Sequence, residues 1–367
     1  MAPLSGLRVI DFSTLLPGPL ASLILAEAGA DVLKVERPGV GDESRLMSPV
    51  LFAMLNRGKR SLALDLGSDH GRAAAVALIR DADVLIEQFR PGVMDRLGLG
   101  WEIMRHVNPR LIYCSVTGYG QTGPLAAEAG HDLNYQAEAG LLASAQGMPH
   151  VLVADLMGGA YPAALNILLA LAGRGPDGAG CHLDVAMADN VFPAMLLELA
   201  GQTPAGRAAP VDKDFFMGAS PRYRTYATRD GRLMAVAAVE DRFWRQLCDL
   251  MALPSPLRDD RRDPEAVAAA LAERFAQRDA GHWVTLFRGR DVCCNLVRGP
   301  DEALASPHFA ERGVFARRVQ APGHGSDSGE VWPALPMPLA PVFRGGATVR
   351  RAPALGEADG HGWLGNV

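Results

Sequence analysis

The chain is poor in the features that mark several large protein classes. Its 367 residues include five cysteines, Cys114, Cys181, Cys248, Cys293 and Cys294, with no CxxC pair and no histidine at metal-ligand spacing. That count and spacing give neither a disulfide framework nor a structural zinc site, and fit a reducing, cytoplasmic location. No stretch of eighteen uninterrupted apolar residues occurs, so no membrane span is expected, and MAPLSGLRVIDF lacks the pattern of a signal peptide. Aromatic residues are only 6% of the chain, the net charge is −5, and no basic stripe carries interleaved aromatics, which argues against a nucleic-acid surface. GxSxG and Walker A motifs are missing, so serine hydrolysis and P-loop chemistry have no support. One GxGxxG match exists, GYGQTG at 118–123, but Pro124 follows and no clean helix opens at its third glycine. A dinucleotide fingerprint needs that helix.

What is present is an alternation of strand and helix signals. LRVIDF (7–12), DVLKVE (31–36), DVLIEQF (83–89) and RLIYCSV (110–116) are apolar, β-branched runs. Between them lie helical patterns at 17–30, 68–82 and about 93–106. This order predicts a doubly wound, Rossmann-like parallel sheet, with ligands at the carboxyl ends of the strands. A long Ala/Leu/Gly helix over 156–173 reads as buried. The expected organisation is a large domain over 1–200 completed by 319–367, a Gly/Pro-punctuated linker over 201–222 and a small α+β domain over 223–318.

The residues with chemical promise cluster in loops. His131 and Asp132 stand in AGHDLNYQ, and Asp155 in VADLMGGA. A histidine and a carboxylate facing one small space can move a proton to and from carbon. Each also has a plainer reading. His131 could be a hydrogen-bonded core histidine, Asp155 a helix N-cap, and Glu240 a helix-start acid. Arg37, Lys59, Arg60, Arg90 and Arg96 lie near strand ends, where cations suit a polyphosphate, although surface salt bridges would use the same residues. Met47, Met54, Met148, Met157, Met187, Met195 and Met217 could include a pliable apolar pocket, though core filling suits most of them.

In order along the chain run VIDFSTLLPGPLASLILAEAGADVLKVERPG, NRGKRSLALDL, FRPGVMDRLGLG, NPRLIYCSVTGYGQTGP, AGHDLNYQAEAG and VADLMGG. These segments closely resemble the family III CoA-transferases, and GHDLNY resembles the α-methylacyl-CoA racemase branch. The resemblance is dense over 4–200 and weakens beyond 320. It implies an interlocked homodimer, an acyl-CoA substrate and no cofactor beyond the CoA moiety. It places Arg37, Phe89, Arg90 and Arg96 at CoA-contacting positions, and Lys59, Ala63 and Leu64 beside the nucleotide. His131 and Asp155 match the catalytic pair, Asp132 and Tyr135 neighbouring positions near the thioester, and Glu240 a glutamate supplied by the partner chain. In the transferase branch, the aspartate matching Asp155 is a nucleophile that forms an acyl anhydride. The resemblance departs in a shortened 137–154 stretch and in QAEAG (136–140), which leans toward the transferase pattern. Donors for an enolate oxygen are expected in the backbone N–H groups that follow Asp155.

Overall fold

The computed structural model describes residues 2–144, 148–176, 178–201, 215–320, 330–344 and 346–358. Six parallel strands form the main sheet: β1 (Arg8–Asp11), β2 (Asp31–Glu36), β3 (Arg60–Ala63), β4 (Val84–Glu87), β5 (Ile112–Thr117) and β6 (Cys181–Ala186). Their order, β3-β2-β1-β4-β5-β6, is the doubly wound arrangement, with its switch point between β1 and β4. The Rossmann-like expectation is met. β3 is a strand that the sequence pattern did not reveal.

The strands are apolar almost throughout because helices cover both faces. Val9, Val84, Ile86, Ile112, Cys114 and Val116 point into one core layer, and Ile10, Leu85 and Tyr113 into the other. All eleven residues of the Pro17–Glu27 helix are buried, as a helix that is apolar all round requires. The helix expected over 93–106 is instead two short pieces, Val93–Arg96 and Trp101–Val107. Gly98 stands between them at φ +72°, a left-handed conformation that ends the first.

The long apolar helix also differs from expectation. It starts as a π-helical turn, Ala154–Ala160, and continues as an α-helix over Tyr161–Arg174. By length and composition this stretch could cross a bilayer. Its Ala160, Ala163, Ala164 and Ile167 side is buried in the core layers, while Leu165, Leu168 and Leu169 are exposed.

The chain forms two compact units, Met1–Met195 with Pro307–Val367, and Leu196–Ser306. The sequence pattern places these borders at 200 and 318/319. In the first unit, β10 (Arg318–Gln320) pairs with β11 (Val331–Pro333) and β12 (Val349–Arg351). The second unit is built on the antiparallel sheet β7 (Tyr223–Ala227), β8 (Leu233–Ala237) and β9 (Cys294–Leu296), packed with the Asp241–Leu250, Pro264–Ala276 and Ala280–Phe287 helices. Most of the linker, 202–214, lies outside the described residues.

Candidate active site

A cavity of about 480 Å³ opens at the carboxyl ends of β4 and β5. Its wall carries His131, Asp155 and Tyr135 on one side, Gln88, Phe89 and Arg90 on another, and Leu15, Thr117 and Met187. The structure therefore brings the histidine and carboxylate of two separate sequence motifs to one space.

Local geometry explains the motifs. Asp132 begins the Asp132–Glu138 helix and is 6% exposed. Its Oδ1 accepts the Asp155 N–H at 2.9 Å, and its Oδ2 accepts from Gln136 Nε2. Asp132 thus supplies, from 23 residues upstream, the acceptor that a helix start needs. Asp155 itself caps nothing: it sits in the first turn, and its carboxyl lines the cavity. The two glycines that follow are steric requirements. A Cβ on Gly158 would lie 2.3 Å from the Met187 carbonyl oxygen, and one on Gly159 would lie 2.8 Å from Pro17 Cβ. These contacts seat the turn against the cavity floor.

Burial raises the Asp155 carboxyl, the Asp132 charge adds to the rise, and His131 opposes it; the result is about 6. His131 is exposed, not a core histidine, and its backbone N–H donates to Asn134 Oδ1 at 3.1 Å. Tyr135 is buried, bonds the Gly130 carbonyl, and meets Tyr119 edge-on at 5.1 Å. Gly118 of GYGQTG lies against this ring, where an added Cβ would come within 2.4 Å of it. That is the glycine's job here, and turns rather than a helix follow it. The N–H groups of Asp155 and Leu156 donate to Asp132 and Leu152, so neither is a free enolate donor. Thr117 borders the cavity, and its Oγ1 is buried with no hydrogen-bond partner among the described residues. Its place at the end of a strand is its one mark in the sequence.

The loop bearing Leu15 is held under strain. Leu15 has φ +62°, a left-handed conformation that costs a non-glycine residue about 1–2 kcal/mol. Its N–H reaches Asp42 Oδ1 at 3.2 Å, and Asp42 pairs with the buried Lys34 at 2.9 Å. Lys34 Nζ also donates to the Ser13 carbonyl at 2.6 Å, while Gly18 N–H donates to Gln88 Oε1 at 3.0 Å. Lys59 joins this buried network instead of facing the open strand edge. Its Nζ donates to Asn56 Oδ1 at 2.8 Å, the Pro19 carbonyl at 2.9 Å and Asp11 Oδ2 at 3.3 Å. Burial, with a smaller repulsion from Lys34, lowers Lys59 to about 8 despite Asp11. Burial would raise Asp11, but Lys59 and Lys34 hold it at about 2.

The other expected residues stand apart from the cavity wall. Arg37 follows β2 and is exposed; Ala63 ends β3 and Leu64 follows it, both half-buried; Arg96 is exposed at the end of the Val93–Arg96 helix. Among the methionines, Met187 lines the cavity, while Met47, Met148 and Met157 are exposed on the surface. Glu240 belongs to the second unit, where it precedes the Asp241–Leu250 helix and makes no side-chain capping bond. Glu87, beneath the Phe89–Arg90 loop, accepts the Phe89 N–H at 2.8 Å. Burial raises it to about 7, with Asp95 and Asp184 adding and Ser115 and that N–H opposing.

A doubly wound sheet with a carboxylate–histidine cleft at its carboxyl edge, beside the Phe89–Arg90 loop, is the arrangement of an α/β enzyme with its ligand site at the strand ends. The chain belongs to CoA-transferase family III, whose model matches residues 4–359. It is 36% identical over 321 residues to the α-methylacyl-CoA racemase of Homo sapiens, covering 85% of this chain and 82% of that protein. It is 33% identical over 346 residues to the acetyl-CoA:oxalate CoA-transferase of Acetobacter aceti, covering 88% of each. A solved structure of the hypothetical protein Rv3272 from Mycobacterium tuberculosis superposes with a TM-score of 0.81 at 29% identity, over 98% of both chains. The chain is thus an enzyme of the family that holds both acyl-CoA racemases and CoA-transferases.

Proposed function

We propose that the protein epimerises 2-methylacyl-CoA thioesters by 1,1-proton transfer through an enolate. The observation that carries this reading is the shared cavity wall of His131 and Asp155. Removing the α-proton of a thioester needs a base close to the working pH, and a second group to return a proton on the opposite face. The Asp155 carboxyl, raised to about 6, is suited to both accepting and giving up a proton near neutrality. A neutral His131 takes the proton from one enantiomer while protonated Asp155 delivers one, and the roles reverse for the other. Thr117 borders the cavity, and its unpartnered hydroxyl, which a turn about χ1 would bring to the wall, serves the thioester or enolate oxygen as a donor. The CoA moiety runs past Phe89 and Arg90 toward the exposed Arg37 and Arg96, whose guanidinium groups suit its phosphates. Lys59, buried in the loop network, supports that wall without touching the phosphates, and Ala63 and Leu64 border the nucleotide. The substrate's CoA is the one cofactor this chemistry uses.

The protein works as an interlocked homodimer in this reading, with Glu240 of a second copy setting the His131 tautomer. The exposed Leu165, Leu168 and Leu169 supply an apolar face for such an association.

A second reading is CoA transfer to a free carboxylate through an Asp155 acyl anhydride, favoured by the presence of an ionisable Asp155 in the cavity. Proton NMR of the protein with (2R)-2-methylacyl-CoA in D₂O separates the two. Loss of the α-proton signal without added acid, and its dependence on both His131 and Asp155, is the racemase result. No exchange, with CoA appearing on an added carboxylate in an Asp155-dependent and His131-tolerant manner, assigns the transferase.

A further inference from the structure

A second cavity, of about 160 Å³, lies beside the first, with Arg90 in the walls of both. Glu87, Ser115 and His182 line it from β4, β5 and β6. The sheet register sets these three on one face. Glu87 stands opposite Ser115, and His182 comes two residues before Asp184, the β6 partner of Ser115. Glu87 is 4% exposed and Ser115 2%, whereas His182 is half-buried. The His182 ring stacks on Trp101 at 5.9 Å and meets Tyr113 edge-on at 5.3 Å, contacts that hold its plane.

Hydrogen bonds run along this row without a break. His182 Nε2 lies 2.9 Å from Ser115 Oγ, the Ser115 hydroxyl bonds the Glu87 carboxyl, and Glu87 Oε2 accepts the Phe89 N–H at 2.8 Å. A serine hydroxyl has one proton to give. When Glu87 is ionised, Ser115 donates to it, so His182 Nε2 must carry a hydrogen. When Glu87 is protonated and donates to Ser115 Oγ, Ser115 donates onward, so Nε2 must be bare and Nδ1 carries the hydrogen. Passage between the two states balances. The His182 Nε2–H bond and the old Ser115 O–H bond break, a new Ser115 O–H and a Glu87 O–H form, and Nδ1 takes one proton from water.

Six charged or titratable groups surround the row. Asp95, Glu102 and Asp184 favour an added proton, Arg90 in the same wall disfavours it, and burial keeps Tyr113 and Cys114 neutral. Burial raises Glu87 to about 7 and lowers His182, so the two ends compete for one proton near neutrality.

We propose that Glu87, Ser115 and His182 form a proton relay that positions the Phe89–Arg90 wall of the acyl-CoA site, with His182 as its outer terminal. Glu87 is a positioning residue. As a carboxylate it grips the Phe89 N–H, and as a neutral acid it holds that N–H more weakly. None of the three lines the cavity of His131 and Asp155. The inference rests on the reading of Phe89 and Arg90 as CoA contacts.

Two measurements on the full chain separate the relay from that reading. Nitrogen-15 NMR follows the His182 ring and the Phe89 amide from pH 5.5 to 9, and calorimetry gives the Kd of free CoA over the same range. In the wild type, His182 should pass from the Nδ1–H to the Nε2–H tautomer as pH rises. The Phe89 amide proton should move downfield with the same midpoint. In Glu87→Gln, the Phe89 N–H claims the amide oxygen and the amide NH₂ donates to Ser115, so His182 should stay Nδ1–H wherever its ring is neutral. The Kd of that variant should match the wild type at the acid end and exceed it about threefold to tenfold at the alkaline end, the worth of one hydrogen bond. Should the variant not fold, the wild-type titration carries the test alone. A His182 ring that keeps one neutral tautomer while the Phe89 amide titrates overturns the proposal. So does an Nε2–H tautomer in Glu87→Gln, or a Kd ratio that does not change with pH. A coupled titration in a protein that binds no CoA at any pH supports the relay and overturns instead the CoA reading of the wall.

Discussion

For the enantiomer whose α-proton Asp155 removes, replacing Asp132 by asparagine should move the acid limb of the exchange reaction downward without dismantling the site. The Asp155 carboxyl stands at about 6 against an ordinary 3.8, with burial the larger cause and the Asp132 charge the second. Each pH unit corresponds to about 1.4 kcal/mol, so the whole rise represents about 3 kcal/mol of differential interaction. Asp132→Asn removes the electrostatic part and leaves burial, so a fall of about one pH unit is expected. The substitution is geometrically mild. Asparagine Oδ1 can still accept the Asp155 N–H that Asp132 accepts at 2.9 Å. Gln136 Nε2 donates to the other Asp132 oxygen while Gln136 Oε1 is buried without a partner. A turn of the Gln136 amide therefore gives an asparagine NH₂ its acceptor. The assay is deuterium wash-in at Cα of a 2-methylacyl-CoA from pH 4.5 to 9, with Asp132→Ala beside it. Alanine removes both the charge and the cap, so it should lose rate across the whole range as well. An acid limb in Asp132→Asn that stays in place, or moves up, would refute the reasoning.

The strain at Leu15 predicts that Leu15→Gly is more stable than Leu15→Ala by about 1 kcal/mol in urea unfolding, because both lose the side chain and only alanine keeps the left-handed penalty; equal stabilities would exclude strain. Glu87 rises from 4.5 to about 7 on folding, mainly by burial. Its contribution is fully present below pH 4.5 and is lost as pH climbs through 7, by up to about 3 kcal/mol. Denaturant melts of the wild type should therefore weaken between pH 5 and 8 relative to Glu87→Gln, and parallel profiles would count against it. Thr117→Val keeps shape and removes the unpaired hydroxyl. It should slow exchange by about tenfold or more while leaving the unfolding midpoint unchanged or raised, and an unaltered rate would exclude the hydroxyl from substrate contact.

The main sheet was largely legible in the sequence because its signal is local. Each of β1, β2, β4 and β5 is a short apolar run between helical periods, and the order of such runs implies the topology. β3 escaped because RSLA is only four residues long, begins with a charge and holds a serine. The candidate site was legible in part for a different reason. His131, Asp132 and Asp155 stand in a recognisable order, but the meeting of the two motifs depends on a hydrogen bond spanning 23 residues. The roles of Lys34 and Lys59 could not be read at all. A lysine near a strand end reads as a phosphate ligand, and only the fold shows Asp11, Asp42 and Asn56 gathered around the two ammonium groups.

The same amino acid serves opposite purposes in these two places, and the difference is electrostatic. Asp11 and Asp155 are both withdrawn from water, and burial pushes both carboxyls upward. Asp11 has two lysines and two serine hydroxyls around it and ends at about 2, a permanent anion that holds the Ser13–Pro17 loop in shape. Asp155 has another carboxylate as its near neighbour and a half-open cavity in front of it, and ends at about 6. A group at 2 cannot take part in proton transfer near neutrality, whereas a group at 6 can do so in either direction. The buried cations thus belong to the support of the site, and the unpaired carboxylate to its chemistry. By this argument, a cation placed beside Asp155 should abolish exchange even where acyl-CoA still binds. Gln136→Lys, whose ammonium would meet the Asp132 carboxylate that accepts the Asp155 N–H, is the variant to make. Retention of wild-type exchange with an unmoved acid limb would sever the link between the Asp155 ionisation and the reaction.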